Sequence, residues 1–342
     1  MIMVGACGMV TPVGLSAAAS LAAMRAGINA FKDMPFPLPV PREAVAAFVP
    51  TIPIVGFDRY LRLLAPALAE ATRHLDEATL SATPLLVAVP SAVRPDRPPG
   101  LVEDLVDQLE RTLGRTFHPS QSAVVPKGRV GVPLAIARAV ELIRGGHIAR
   151  CVVAGVDTLV NLDCVGWLFR QDRLKCEDVT NGLIPGEAAV ALEIVAADAL
   201  SGGLEIVAIG RGDESTDPIH AQPLRGDGLV QAVGRALESA GLDLFDIDYR
   251  LSDVNGEQYF FKETELCVAR LLRRHKEAFP LWHPADSIGD CGAAAGGVLV
   301  AMAQAATTKG YAPGPLAICQ SSGDEGGRVA VVLRAIAGKV TS

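Results

Sequence analysis

Short apolar runs alternate along the chain with longer stretches whose apolar positions recur at helical spacing, and this alternation predicts a succession of strand–helix units. A first strand is expected over 4–10, and a helix over 16–26 with Ser16 as its N-cap and Gly27 closing it. Helical spacing returns over 59–75. A buried strand is expected at 85–89, and the proline-rich loop 94–100 leads into a helix over 101–113. The Ala-rich stretch 133–144 predicts a helix ended by Gly145-Gly146, followed by strands at 151–155 and 188–195. A second series opens with a strand at 204–209. It continues with a helix over 229–240, a strand near Tyr249, helices over 262–274 and 293–308, and a last strand over 328–335. Each series begins and ends on a strand, so we expect two halves, 1–197 and 198–342, joined by a short linker near residue 198.

The helix from Pro133 has almost no polar stripe, which predicts that Ala135, Ile136 and Ala139 are covered between sheets. The run Cys151-Val-Val-Ala is the expected apolar sheet edge, which a two-fold copy of the chain would cover.

Composition narrows the class. Half of the 342 residues are apolar and only 5% aromatic, so the core rests on small aliphatic side chains in close helix–sheet contact, as in layered α/β proteins. A net charge of −7 without any sustained Lys/Arg run argues against a nucleic-acid or anionic-membrane partner. Seven scattered cysteines without a C-x-x-C pair are read as reduced thiols in a cytoplasmic protein. The longest small-apolar run, 292–306, is shorter than the roughly 20 residues that span a bilayer. The six histidines show no metal-binding spacing, and neither metal nor cofactor is implied.

Five motifs in order carry a resemblance. Gly8-Met-Val-Thr-Pro-Val-Gly14 looks like an N-terminal Gly-x-Val-Thr-Pro-x-Gly turn, and 139–155 looks like the helix and strand that follow a nucleophile. Gly182-Leu-Ile-Pro-Gly-Glu-Ala-Ala, Asp286-Ser-Ile-Gly-Asp-Cys-Gly-Ala-Ala-Ala-Gly296 and Ser322-Gly-Asp-Glu-Gly-Gly-Arg complete the set. Together they resemble the β-ketoacyl synthases of the thiolase-like superfamily. The resemblance implies a five-layered αβαβα fold of two pseudo-duplicated halves and a two-fold dimer.

The family's catalytic residues are a cysteine and two histidines, and the matching positions hold none of them. Gly128 or Arg129 falls at the nucleophile, depending on where the frame is anchored; Asn255 stands at the first histidine and Asp290 at the second. Asn can donate to an oxyanion but cannot titrate near neutral pH. Asp324 and Glu325 replace apolar residues beside the family's acyl chain, where a carboxylate would oppose a hydrocarbon tail.

Lys127, Glu257, Cys291, Asp324 and Glu325 are candidate ligand or partner contacts. The plainer expectations are that Asp290 caps the following helix, Cys291 is a small buried thiol, Glu187 satisfies backbone donors, and Lys127 and Arg129 pair with nearby acids. The sequence therefore predicts a catalytically degenerate partner or accessory subunit. This would be either a chain-length-factor-like protein that pairs with a ketosynthase, or a thiolase-like accessory protein that binds an effector or adaptor in a secretion cluster such as type VI. The alternative is an acyltransferase or hydrolase with a rewired site using Cys291 or the carboxylates.

Overall fold

The computed structural model describes all residues except 38–42, 53–54, 197–201, 219–222 and 338–342. The expected joint near 198 lies outside the described residues.

The first half opens with β1 (Ile2–Val10) and α1 (Ala17–Arg25), where Ser16 accepts from the Ala19 amide and Gly27 adopts φ +69° past the last turn. A small hairpin, β2 (Phe31–Asp33) with β3 (Val45–Ala47), precedes α2 (Phe57–Thr72) and the short α3 (Glu77–Ser81). Then come β4 (Leu85–Ala88), α4 (Leu105–Leu113), β5 (Ala123–Val125), α5 (Gly131–Arg144), β6 (Arg150–Thr158), α6 (Leu162–Arg170) and β7 (Glu187–Ala196). The second half runs β8 (Gly203–Asp213), α7 (Asp227–Ala240), β9 (Tyr249–Ser252), α8 (Gln258–Leu271), β10 (Leu281–Trp282), α9 (Ala285–Ile288), α10 (Ala295–Thr308), β11 (Leu316–Ser322) and β12 (Gly327–Ile336).

The two halves repeat one topology. Strands run β1-β7-β6-β4-β5 in the first and β8-β12-β11-β9-β10 in the second, each with two antiparallel pairings followed by two parallel ones. A short β1–β8 pairing, Met3 with Glu205 and Val4 with Leu204, makes the ten strands continuous. Three apolar clusters define the layers. α2 and α4 cover the outer face of the first sheet, α5 and α10 fill the space between the sheets, and α7 and α8 cover the second. This is the αβαβα arrangement. Ala135, Ile136 and Ala139 are at most 1% exposed, as the missing polar stripe of α5 predicts.

Small residues permit this spacing. A Cβ on Gly155 of β6 would lie 2.5 Å from Val132 of α5 and 2.7 Å from the Ala293 carbonyl oxygen, so the strand and both central helix starts meet only because it is absent.

The expected edge at 151–155 requires correction. β6 lies inside the sheet, with Cys151 opposite Ile194 of β7 and Gly155 opposite both Val190 of β7 and Ala88 of β4. Its apolarity reflects cover on both faces rather than a free edge. Among the described residues the ten-stranded sheet has two edge strands, β5, whose Ala123 is exposed, and the two-residue β10. Two helices are also displaced from expectation: α4 begins at Leu105, after a turn, and α8 begins four residues earlier than 262.

Candidate functional site

β5 ends in Pro126-Lys127-Gly128, where the chain reverses into a single 3-10 turn, Gly128–Val130, and then α5. Gly128 has φ +53°, a left-handed turn that glycine adopts without penalty, and donates to the Val89 carbonyl at 3.0 Å. This sharp strand-to-helix elbow lifts the Arg129 side chain across to the second half. Arg129 is 5% exposed; its Nη2 donates to the Asp253 carbonyl at 2.7 Å and sits 3.2 Å from Asp290 Oδ2. Its Nε lies 3.8 Å from Asp253 Oδ2, and the guanidinium rests 4.6 Å from the Phe260 ring centroid.

The loop after β9 supplies Asn255 and Glu257. Asn255 Nδ2 donates to Asp290 Oδ2 at 2.7 Å and to Glu257 Oε2 at 3.0 Å, so one amide ties the two acids together. Glu257 also meets Arg173 in a two-point pairing at 2.7 and 2.8 Å, and Arg173 reaches Asp324 at 3.1 Å.

Asp290 is not the N-cap residue of α10 but is doubly engaged just before it: Oδ1 accepts from the Gly292 amide at 2.9 Å while Oδ2 faces Arg129 and Asn255. Its backbone is pinned as well, with Gly186 N donating to the Asp290 carbonyl and Asp290 N to the Ile184 carbonyl. Glu187, next along, accepts from the Val49 amide at 2.7 Å and pairs with Arg59 at 2.5 Å.

The elbow, the Asn255 loop and Asp290 thus converge, and a cavity of about 340 Å³ opens beside them. Lys127, Arg129, Asp290, Asp324 and Glu325 line it, as does Gly128; Glu257 and Cys291 are buried and do not. Cys291 is 1% exposed, and burial, then the nearby Asp290 and Asp157, push its thiol well above the ordinary range, so it carries no thiolate at neutral pH. For Asp324, burial acts to raise the carboxyl, but Arg173 and Arg129 outweigh it and hold the group below its ordinary value.

A second set of charges was not legible in the sequence. Arg94 bridges Asp96 at 2.7 Å and Asp157 at 3.0 Å, and Asp157 Oδ2 also accepts from the Ala293 amide at 2.8 Å, fastening the start of α10 to the end of β6. Arg328 pairs with Glu263 at 2.7 Å, and Ser322 connects Glu263 to Asp253 through its hydroxyl and amide. Single arginines carry no periodic signal, so only the folding of each half discloses these partners. Among the described residues, no three His, Cys, Asp or Glu side chains are placed to hold a metal ion. No helix among them is long and apolar enough to cross a membrane.

No protein-family model and no curated protein matches the sequence. Solved structures do match by fold. A ketosynthase/chain length factor of ishigamide superposes with a TM-score of 0.81 at 16% identity, covering 97% of this chain and 98% of its own. An oxazolomycin ketosynthase domain from Streptomyces albus gives 0.79 at 13% identity, covering 99% of this chain and 75% of its own. A ketosynthase in complex with its chain length factor, from Xenorhabdus doucetiae, gives 0.74 at 16% identity, covering 98% of each. The chain has the thiolase-like fold of ketosynthases.

Proposed function

We propose that this chain is a non-condensing protein of ketosynthase fold that acts through a protein partner, in the manner of a chain length factor. The observation that carries this reading is Arg129. Condensation needs a thiolate at the elbow and titratable nitrogens opposite it, to hold an acyl group and stabilise an enolate. At this elbow a guanidinium projects instead, held by Asp290 and the Asp253 carbonyl. The Arg129 side chain lines the cavity beside the elbow, on the side from which a thioester would have to approach. Asn255 is committed to Asp290 and Glu257, and Asp290 to Arg129 and the Gly292 amide, so both side chains are held in contacts within the protein.

Two of the structural neighbours are a ketosynthase/chain length factor and a ketosynthase in complex with its chain length factor, which supports an assembly role for this chain. The open strand β5, immediately before the elbow, is the edge we assign to a second chain, either an identical copy or an active ketosynthase. An accessory role beside secreted effectors, type VI among them, requires the same dead elbow and differs only in the partner.

Intact-mass spectrometry after incubation with acyl-CoA and acyl carrier protein tests the reading. No adduct is expected. A stoichiometric thioester abolished by Cys291→Ala would replace it with a rewired acyltransferase or hydrolase.

A further inference from the structure

Two cations precede α5, and the structure treats them differently. A positive charge at the start of a helix opposes its dipole. Arg129 offsets this by pairing with Asp253 and Asp290. Lys127, expected to do the same, has neither an ion-pair nor a side-chain hydrogen-bond partner among the described residues, although it lines the cavity. Nor does α5 supply its own counter-charge: it begins without a side-chain cap and without an acid in its first turn.

Ser91 lies beside the same turn, since a Cβ built on Gly128 would sit 3.8 Å from Ser91 Cβ. It is 8% exposed and lines the cavity, and among the described residues its hydroxyl has no hydrogen-bond partner. A covered hydroxyl without a partner has given up its water for nothing. A lysine ammonium only donates and a serine hydroxyl can donate, so the two groups flanking Gly128 lack the same thing, an acceptor in the cavity.

The charges around the cavity favour an anionic one. Six cationic side chains line it against five carboxylates. Of those acids, Asp157, Asp290 and Asp324 already face Arg94, Arg129 and Arg173 in turn, and Asp213 and Glu325 are exposed. Asp253, Glu257 and Glu263 stand outside the lining. Leu159, Trp167, Leu168 and Leu183 give the same cavity an apolar wall, packed as one cluster.

We propose that this cavity binds a small organic carboxylate, whose oxygens accept from Lys127 and Ser91 while its apolar body lies against Trp167 and Leu168. One unpaired cation suits a monoanion, whereas the second charge of a phosphate would face Asp290 and Glu325 without compensation. At about 340 Å³ the cavity is at the small end of ligand sites, which limits the body to a single ring or a short chain. Such binding needs no second chain and is separate from the assembly role.

Benzoate is the probe. Equilibrium dialysis of labelled benzoate against the full chain should give a dissociation constant below about 1 mM. Benzyl alcohol, of similar shape without the charge, should bind about tenfold more weakly, and inorganic phosphate should displace benzoate only at about tenfold higher concentration. Lys127→Met should weaken benzoate about tenfold and Ser91→Ala about fivefold. Both variants should fold as the parent does, with urea midpoints no lower, because Lys127 is exposed and Ser91 gives up no hydrogen bond. Trp167 lines the cavity and Trp282 lies elsewhere, so Trp282→Phe leaves one reporting tryptophan, whose emission should shift over the same benzoate range. Failure to retain benzoate, retention that neither variant alters, or binding that leaves Trp167 emission unmoved would overturn the proposal. Phosphate displacing benzoate at equal concentration would overturn its assignment to a carboxylate.

Discussion

Arg129 is 5% exposed and faces two carboxylates, so truncating it removes the ion-pair partner of the nearly covered Asp253 and Asp290. Arg129→Ala should destabilise the protein by about 3–5 kcal/mol, measured as a lower urea midpoint, which is the usual cost of removing one partner from a buried pair. Arg129→Cys tests the chemistry separately. It places a thiol at the elbow, yet we expect no condensation, because Asn255 and Asp290 stay where titratable nitrogens would be required. Product formation with a malonyl extender would contradict the non-condensing reading. The residue types at 255 and 290 were legible from the chain alone, whereas the pairing of Arg173 with Glu257, 84 residues away, was not. A guanidinium's partner is chosen by which loops the fold brings within about 3 Å, and no local pattern encodes that.

At the scale of the element, glycines divide by what surrounds them. Gly8 in β1 faces α2 so closely that a Cβ would lie 1.9 Å from the Ala67 carbonyl oxygen, and backbone cannot turn aside. Gly8→Ala should cost about 1–3 kcal/mol or prevent folding, as overpacking against a rigid neighbour does. Gly234 in α7 is the opposite case, with nothing within 4 Å of a built Cβ and no left-handed φ. Gly234→Ala should raise stability by about 0.5–1 kcal/mol, since it removes unfolded-state freedom and improves helix propensity. Thermal melts of the two variants under one buffer would show shifts of opposite sign. Both residues look alike in sequence, and only the distance between layers separates them.

For the whole molecule the decisive feature is the open strand β5, where Ala123 is exposed and β4 is the one neighbour among the described residues. We expect the purified chain to be a two-fold dimer joined through this edge, and light scattering at micromolar concentration to give twice the chain mass. Ala123→Lys should weaken the dimer, because charged edge residues oppose strand pairing. A strictly monomeric mass that doubles only on adding a second ketosynthase-fold chain would reserve the edge for a heterodimer.

The sequence by itself determined the order of the longer strands and helices it singled out, the Ser16 cap with its Gly27 stop, and the apolar character of α5 and α10. It also determined that no cysteine follows β5 at the elbow. These are properties of single turns and single strands, set by spacings of two to four residues. The tertiary structure decided what depends on neighbours distant in sequence. It paired β6 on both sides, so that Cys151–Gly155 became an interior strand and the shorter β5 an edge. It made a strand of 316–322, whose polar end, Gln320-Ser321-Ser322, is buried only because β9 and β12 flank it. It also brought carboxylates of one half onto guanidiniums of the other, because long-range charge pairing follows from the packing of two sheets about α5 and α10 and has no period along the chain.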